Sequence, residues 1–251
     1  MSSITTSLIV FGFVFGGALF GMFLRTVLPE HHLNDDSKDV VKLGMGLVAT
    51  MSALVLSLLI SSAKSSFDAQ NAEITDASAR IILLDRTLAL YGPQTKELRG
   101  LLRGSIAHTF ERLWPKDRAK ASALDEPSLG MESLYVSLQG MSPKDDSQRA
   151  IRTQALNMLV ALGQMRWLMY EQQSTSISMP LLIILVSWVT TLSISFGIFA
   201  PRNGTVVASL FVSSLSVAAA IFLILEFYKP WGGLIHLSSA PMRVALEHLG
   251  Q

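Results

Sequence analysis

Hydrophobic and polar positions along this chain fall into two regimes. Four stretches are apolar almost without a break: about 7–28 (SLIVFGFVFGGALFGMFLRTVL), 43–63, 177–200 (ISMPLLIILVSWVTTLSISFGIFA) and 205–228 (TVVASLFVSSLSVAAAIFLILEFY). Crossing a hydrocarbon core about 30 Å thick takes about 20 helical residues, so each stretch is long enough to span. Between the second and third, residues 64–176 show helical three-four spacing and no alternating run. The expected fold class is all-α: a polytopic membrane protein with four transmembrane helices and a cytoplasmic helical bundle. Spans one and two occupy 1–63, the bundle 64–176, spans three and four 177–228, and an interfacial or cytoplasmic tail 229–251.

Local punctuation divides the large segment further. The helix of span two is predicted to run on to Tyr91 and stop at Gly92-Pro93, a helix-ending pair. A second helix is expected from about Gln94 to Leu113, ending at Trp114-Pro115, and a short third at about 128–139. The fourth should begin at Ser142-Pro143, with Ser as N-cap, Pro in the first helical position and Asp145 and Asp146 in the first turn. Its stripe Ile151, Ala155, Met158, Leu162, Met165 and Met169 reads as bundle core.

Span two holds the pattern that matters most. Alternating steps of four and three give Thr50, Leu54, Ser57, Ser61, Lys64, Asp68, Asn71 and Thr75, a stripe with one apolar member. The adjacent stripe gives Ala53, Leu56, Ile60, Ala63, Phe67, Gln70, Ile74, Ala77, Ile81, Leu84, Leu88 and Tyr91, with one polar member. Both keep phase from the membrane to the end of the helix, which argues for one rod about 70 Å long. Ser and Thr are cheap in a bilayer because their hydroxyls bond back to helix carbonyls, so Thr50, Ser57 and Ser61 alone fit close helix packing. The continuation through Lys64 and Asp68 fits a helix facing water, as in a pore lined by a ring of subunits. One chain of four spans has too few helices to enclose and shield such a path, so a channel requires a homo-oligomer. Gly12-x-x-x-Gly16 and Gly17-x-x-x-Gly21 in span one, with Gly44 and Gly46, offer close backbone contacts.

Composition sharpens this picture without changing it. Half the 251 residues are hydrophobic, and mean hydropathy is +0.43. A formal charge of +1 gives no electrostatic case for nucleic acid. With no cysteine, disulfides and thiolate chemistry are excluded. The leading MSSITTS has no positive charge, so the first stretch reads as a retained span rather than a signal peptide. Sixteen of the 20 Lys and Arg lie in the large segment or the tail, which favours a cytoplasmic bundle and cytoplasmic termini.

Other candidate chemistry is sparse. His31 and His32 with Asp35, Asp36 and Asp39 could bind a divalent ion or form a solvated acidic loop. Glu226 and Lys229 stand three apart at the end of span four, spaced for an interfacial ion pair or for gating or ion binding. Tyr228 and Trp231 sit where aromatic interface anchors are expected. The tail helix Pro241–Gly250 is amphipathic and fits either the membrane surface or the bundle. No catalytic or nucleotide-binding motif is present, so neither an enzyme nor a cofactor is expected.

Two segments, GLVATMSALVLSLLISSAKSSFDAQNAEI and LEFYKPWGGLIHLSSAPMRVALEHLG, resemble a bacterial membrane family described as bestrophin-like. In the second, Glu226, Pro230, Gly233 and Ser238-Ser239-Ala240-Pro241 carry the likeness. The family's Asp ahead of Arg-Pro is replaced by Tyr228-Lys229-Pro230, so no role for that carboxylate carries over. The family is distantly similar to bestrophins, pentameric ion channels whose second span lines a pore continuing into a helical cytosolic region. Their bulky aromatic neck has no counterpart here, where span two offers Leu54 and Leu58. The resemblance implies a homo-oligomeric ion channel, a tetramer or pentamer, in the bacterial inner membrane, with inorganic ions and the bilayer as partners. The competing expectation is a membrane-anchored scaffold or sensor whose cytoplasmic helices bind a partner protein.

Overall fold

The computed structural model describes residues 2–29, 35–115, 130–173 and 178–251. These form eight α-helices and no strand: α1 Ser3–Val27, α2 Asp35–Tyr91, α3 Lys96–Leu113, α4 Gly130–Gln139, α5 Asp146–Gln173, α6 Met179–Phe199, α7 Gly204–Phe227 and α8 Ala240–His248. Four of them, α1, α2, α6 and α7, are long and apolar enough to cross a membrane. α2 is one uninterrupted helix of 57 residues, about 85 Å long at 1.5 Å per residue. The chain divides into two units, Met1–Ser65 with Ser176–Tyr228, and Ser66–Thr175 with Lys229–Gln251.

In the first unit α1 packs on α6 and α7, and backbone contact decides how. A Cβ placed on Gly21 would fall 2.1 Å from the carbonyl oxygen of Ile194, and one on Gly197 would fall 2.1 Å from that of Ala18. Only glycine fits at either position, so Gly17-x-x-x-Gly21 serves the α1–α6 contact. Gly12, Gly16, Gly44 and Gly46 have nothing within 4 Å of an added Cβ. At one end of α1 two arginines bridge helix ends. Arg25 donates to the carbonyl of Ala200, and Arg202 donates to that of Met22 at 2.6 Å. Each thus satisfies a carbonyl at or near a helix C-terminus, where cations are favoured. The core of this unit joins Val10 and Val14 of α1, Leu59 and Ala63 of α2, Leu182 and Leu185 of α6, and Ile221, Ile224 and Leu225 of α7.

In the second unit Ile81, Leu84 and Leu88 of α2 meet Leu98, Leu102 and Ile106 of α3, Leu134 and Leu138 of α4, and Ala155, Leu159 and Leu162 of α5. Each fully buried leucine contributes about 1.5–3 kcal/mol. The predicted stop of α2 stands. Gly92 takes φ +125°, open to glycine without strain. Thr95 Oγ1 then donates to the carbonyl of Leu88 at 2.6 Å, and Gln148 Nε2 donates to that of Tyr91 at 3.0 Å. The start of α5 differs from expectation. Asp145, not Ser142, caps it: its carboxylate accepts from the Gln148 N–H at 2.7 Å. Gln148 Oε1 accepts from the Lys144 N–H at 2.8 Å in return. That reciprocal pair satisfies two donors, which Ser142 ahead of Pro143 does not match. The core line of α5 runs through Leu159 as well as Ala155 and Leu162, while Ile151, Met158, Met165 and Met169 are half-buried. Met242 of α8 and Leu249 just beyond it join the helical core, so the tail packs on the second unit.

Candidate functional site

The candidate site is the face of α2 that the chain leaves uncovered. Thr50, Leu54, Ser57, Ser61, Lys64, Asp68 and Thr75 are exposed, and Asn71 is half-buried. The neighbouring stripe turns inward: Ala63, Gln70, Ile74, Ala77, Ile81, Leu84, Leu88 and Tyr91 are all buried. Toward the apolar end this inward face is less covered, with Leu56 and Ile60 half-buried and Ala53 exposed. Of the most apolar window of α2 only 11% is buried, against 39% for α1 and 22% each for α6 and α7. α2 is therefore the span with the most surface still to be covered or wetted.

The polar groups differ in what they meet. Thr50 Oγ1 donates to the carbonyl of Gly46 at 2.9 Å, the back-bond that makes a hydroxyl inexpensive in hydrocarbon. Ser52, on the other side, is buried and makes the same bond to Val48 at 2.7 Å. The Lys64 ammonium lies 5.9 Å from the ring centroid of Phe227. Cation–π attraction at that distance contributes about 0.5–1 kcal/mol where solvent reaches it. Leu54, the apolar member of the stripe, is 67% exposed.

Glu226 is only 4% exposed, within the first unit, and Lys229 is exposed, in the second. His31 and His32 lie outside the described residues. Asp35 and Asp36 open α2, and their side chains are likewise outside the description. Among the described residues no group of three or more His, Asp or Glu side chains is placed to hold a metal ion. Trp231 packs edge-on against Trp114, ring centroids 5.5 Å apart.

One polar constellation escaped the sequence reading. Asp85, buried on α2, receives both Nε and Nη2 of Arg99 at 2.8 and 2.7 Å. The same guanidinium donates to the carbonyl of Gln251 at 2.8 Å, and the Gly250 N–H reaches Asp85 at 3.3 Å. The hydrogen bond to Asp85 raises the Arg99 pKa above its ordinary value, against the desolvation that lowers it. This cluster ties α2, α3 and the tail of the second unit together. The available signal was a carboxylate beside the Leu84 and Leu88 positions, and its partner 14 residues on carried no marker.

Four apolar membrane-length helices, one of them running on into a helical unit, define an all-helical membrane protein. More particularly, the chain belongs to the bestrophin-like family, whose Bestrophin-like domain model matches residues 12–242. No curated protein and no solved structure matches the chain.

Proposed function

We propose that this chain is the protomer of a homo-oligomeric ion channel or pore in which α2 lines the permeation path. The observation that carries the reading is the orientation of α2. Its hydroxyl- and charge-bearing stripe is exposed, while the stripe beside it enters the protomer's own cores. Lys64, at the end of the first unit, would be expensive on lipid, and copies arranged about an axis would give it water, as the cytoplasm gives Asp68 one turn on. The two opposite charges stand four residues apart, so the reading assigns a wet path and no charge preference. Membership of the bestrophin-like family supports the same conclusion.

In this reading the second unit and both termini lie in the cytoplasm of a bacterium and the first unit in its inner membrane. The four-residue turn between α6 and α7 then faces outward, and the protein transports rather than catalyses. Reconstitution in planar bilayers tests it. Ser57→Trp and Ser61→Arg should cut the unitary current severalfold while leaving expression and thermal unfolding unchanged. Unaltered conductance in both would remove α2 from the path. A symmetric assembly that passes no current leaves the scaffold as the better account.

A further inference from the structure

The segment that follows α7 builds a pocket that the channel reading does not use. Pro230, Trp231, Gly232, Gly233, His236 and Ser239 line it, facing the end of α3 at Leu113, Trp114 and Pro115. The walls are fixed. Trp114 Nε1 donates to the carbonyl of Leu237 at 3.0 Å, the Leu237 N–H donates to that of Pro230 at 3.2 Å, and the two indoles meet edge to face. The cavity holds about 210 Å³. That is below the range of roughly 300–1,000 Å³ taken by drug-sized ligands and enough for a small headgroup or metabolite.

Two of its polar groups, the Ser239 hydroxyl and the Trp231 indole, are donors. No carboxylate is among the lining residues. Ser239 Oγ accepts from the Arg243 guanidinium at 3.2 Å, which leaves the hydroxyl proton to give and brings a cation behind it. Ser239 also stands at the N-terminus of α8, the end of a helix that favours negative charge. His236 Nδ1 donates to the carbonyl of Leu234 at 3.3 Å, so Nε2 of the neutral ring is an acceptor that suits a ligand hydroxyl. The indole N–H of Trp231, in the pocket wall, is buried with no partner among the described residues. A buried donor without an acceptor is costly, and a small opening of the pocket wall would let a ligand oxygen supply one. Indole and proline rings around these donors suit a short carbon skeleton. We propose that this pocket binds a phosphate monoester or diester on a small glycerol-sized group. A phospholipid headgroup and a free sugar- or glycerol-phosphate share that chemistry. The first is close at hand, because Pro230 stands three residues after the end of membrane-length α7.

The test uses the full chain labelled with 5-fluorotryptophan in phosphate-free maltoside micelles, with Trp231→Phe assigning the Trp231 fluorine signal. Glycerol 3-phosphate added to the solution, or phosphatidylglycerol added to the micelle, should shift that signal to saturation. The signals of Trp167 and Trp188 should stay in place. A response to the soluble probe alone identifies a free ligand, and a response to the lipid alone identifies a headgroup. Ser239→Ala should raise the half-saturating concentration about tenfold, about 1.4 kcal/mol. A side chain at Gly232 meets nothing within 4 Å, so Gly232→Leu should fold and abolish the response. No saturable shift with either probe, or an undiminished shift in Gly232→Leu, overturns the assignment. Neither outcome depends on whether the assembly conducts.

Discussion

Along α2 the most apolar window buries about one residue in ten, whereas from Gln70 to Tyr91 the same helix buries Gln70, Ile74, Ala77, Ser78, Ile81, Leu84, Asp85, Thr87, Leu88 and Tyr91. Solvent accounts for the contrast. In water an amphipathic helix is held by its apolar face, so the second unit must cover that face with α3, α5 and the tail. In a bilayer lipid covers apolar side chains as well as protein does, and the helix satisfies its own backbone. Low burial there carries no penalty, and the informative residues are the polar ones left on the outside.

Three sets of substitutions break or sharpen this comparison. The largest effect belongs to Gly21→Leu, whose Cβ would meet the backbone of α6 at 2.1 Å. Loss of monodisperse protein on detergent extraction is the expected result, while Gly12→Leu should extract normally. Arg99→Ala comes next. It leaves the Asp85 carboxylate, 1% exposed, without its partner, at a cost of about 3–5 kcal/mol. Thermal unfolding reads that loss, and an apolar replacement of both residues should recover most of it. Leu88→Ala and Leu54→Ala set the two ends of the rod side by side. Leu88 is 2% exposed and Leu54 67%. The first should lose about 2–5 kcal/mol and the second less than about 0.5. Equal losses would mean that the apolar end of α2 is packed against protein as tightly as the other.

Much of this architecture was legible because its signals are local. Uninterrupted apolar runs marked the four long helices, and Gly92-Pro93 marked the end of α2, where glycine's positive φ does the work. The start of α5 was misplaced because Ser142-Pro143 is itself a good cap. The Asp145 and Gln148 side chains accept two backbone N–H groups, those of Gln148 and Lys144, and outweigh it. The glycine repeat in span one was visible, yet its partner was not, since Gly197 stands alone in α6. The Asp85–Arg99 pair forms only once α3 folds back on α2, so spacing along the chain carried no trace of it. For the candidate site the phase of the polar stripe was readable, whereas the chain itself places little against that stripe.

The central claim is that this face of α2 meets water inside a shared assembly, and the chain's lack of cysteine allows a direct measurement. Single cysteines placed one at a time from 50 to 75 in the reconstituted protein can be probed with a water-soluble thiol reagent. The account predicts fast modification at 50, 54, 57, 61, 64 and 68, repeating every three or four residues, and slow modification between them. Uniform protection from 50 to 61, where lipid or a packed helix would shield every position alike, would contradict it.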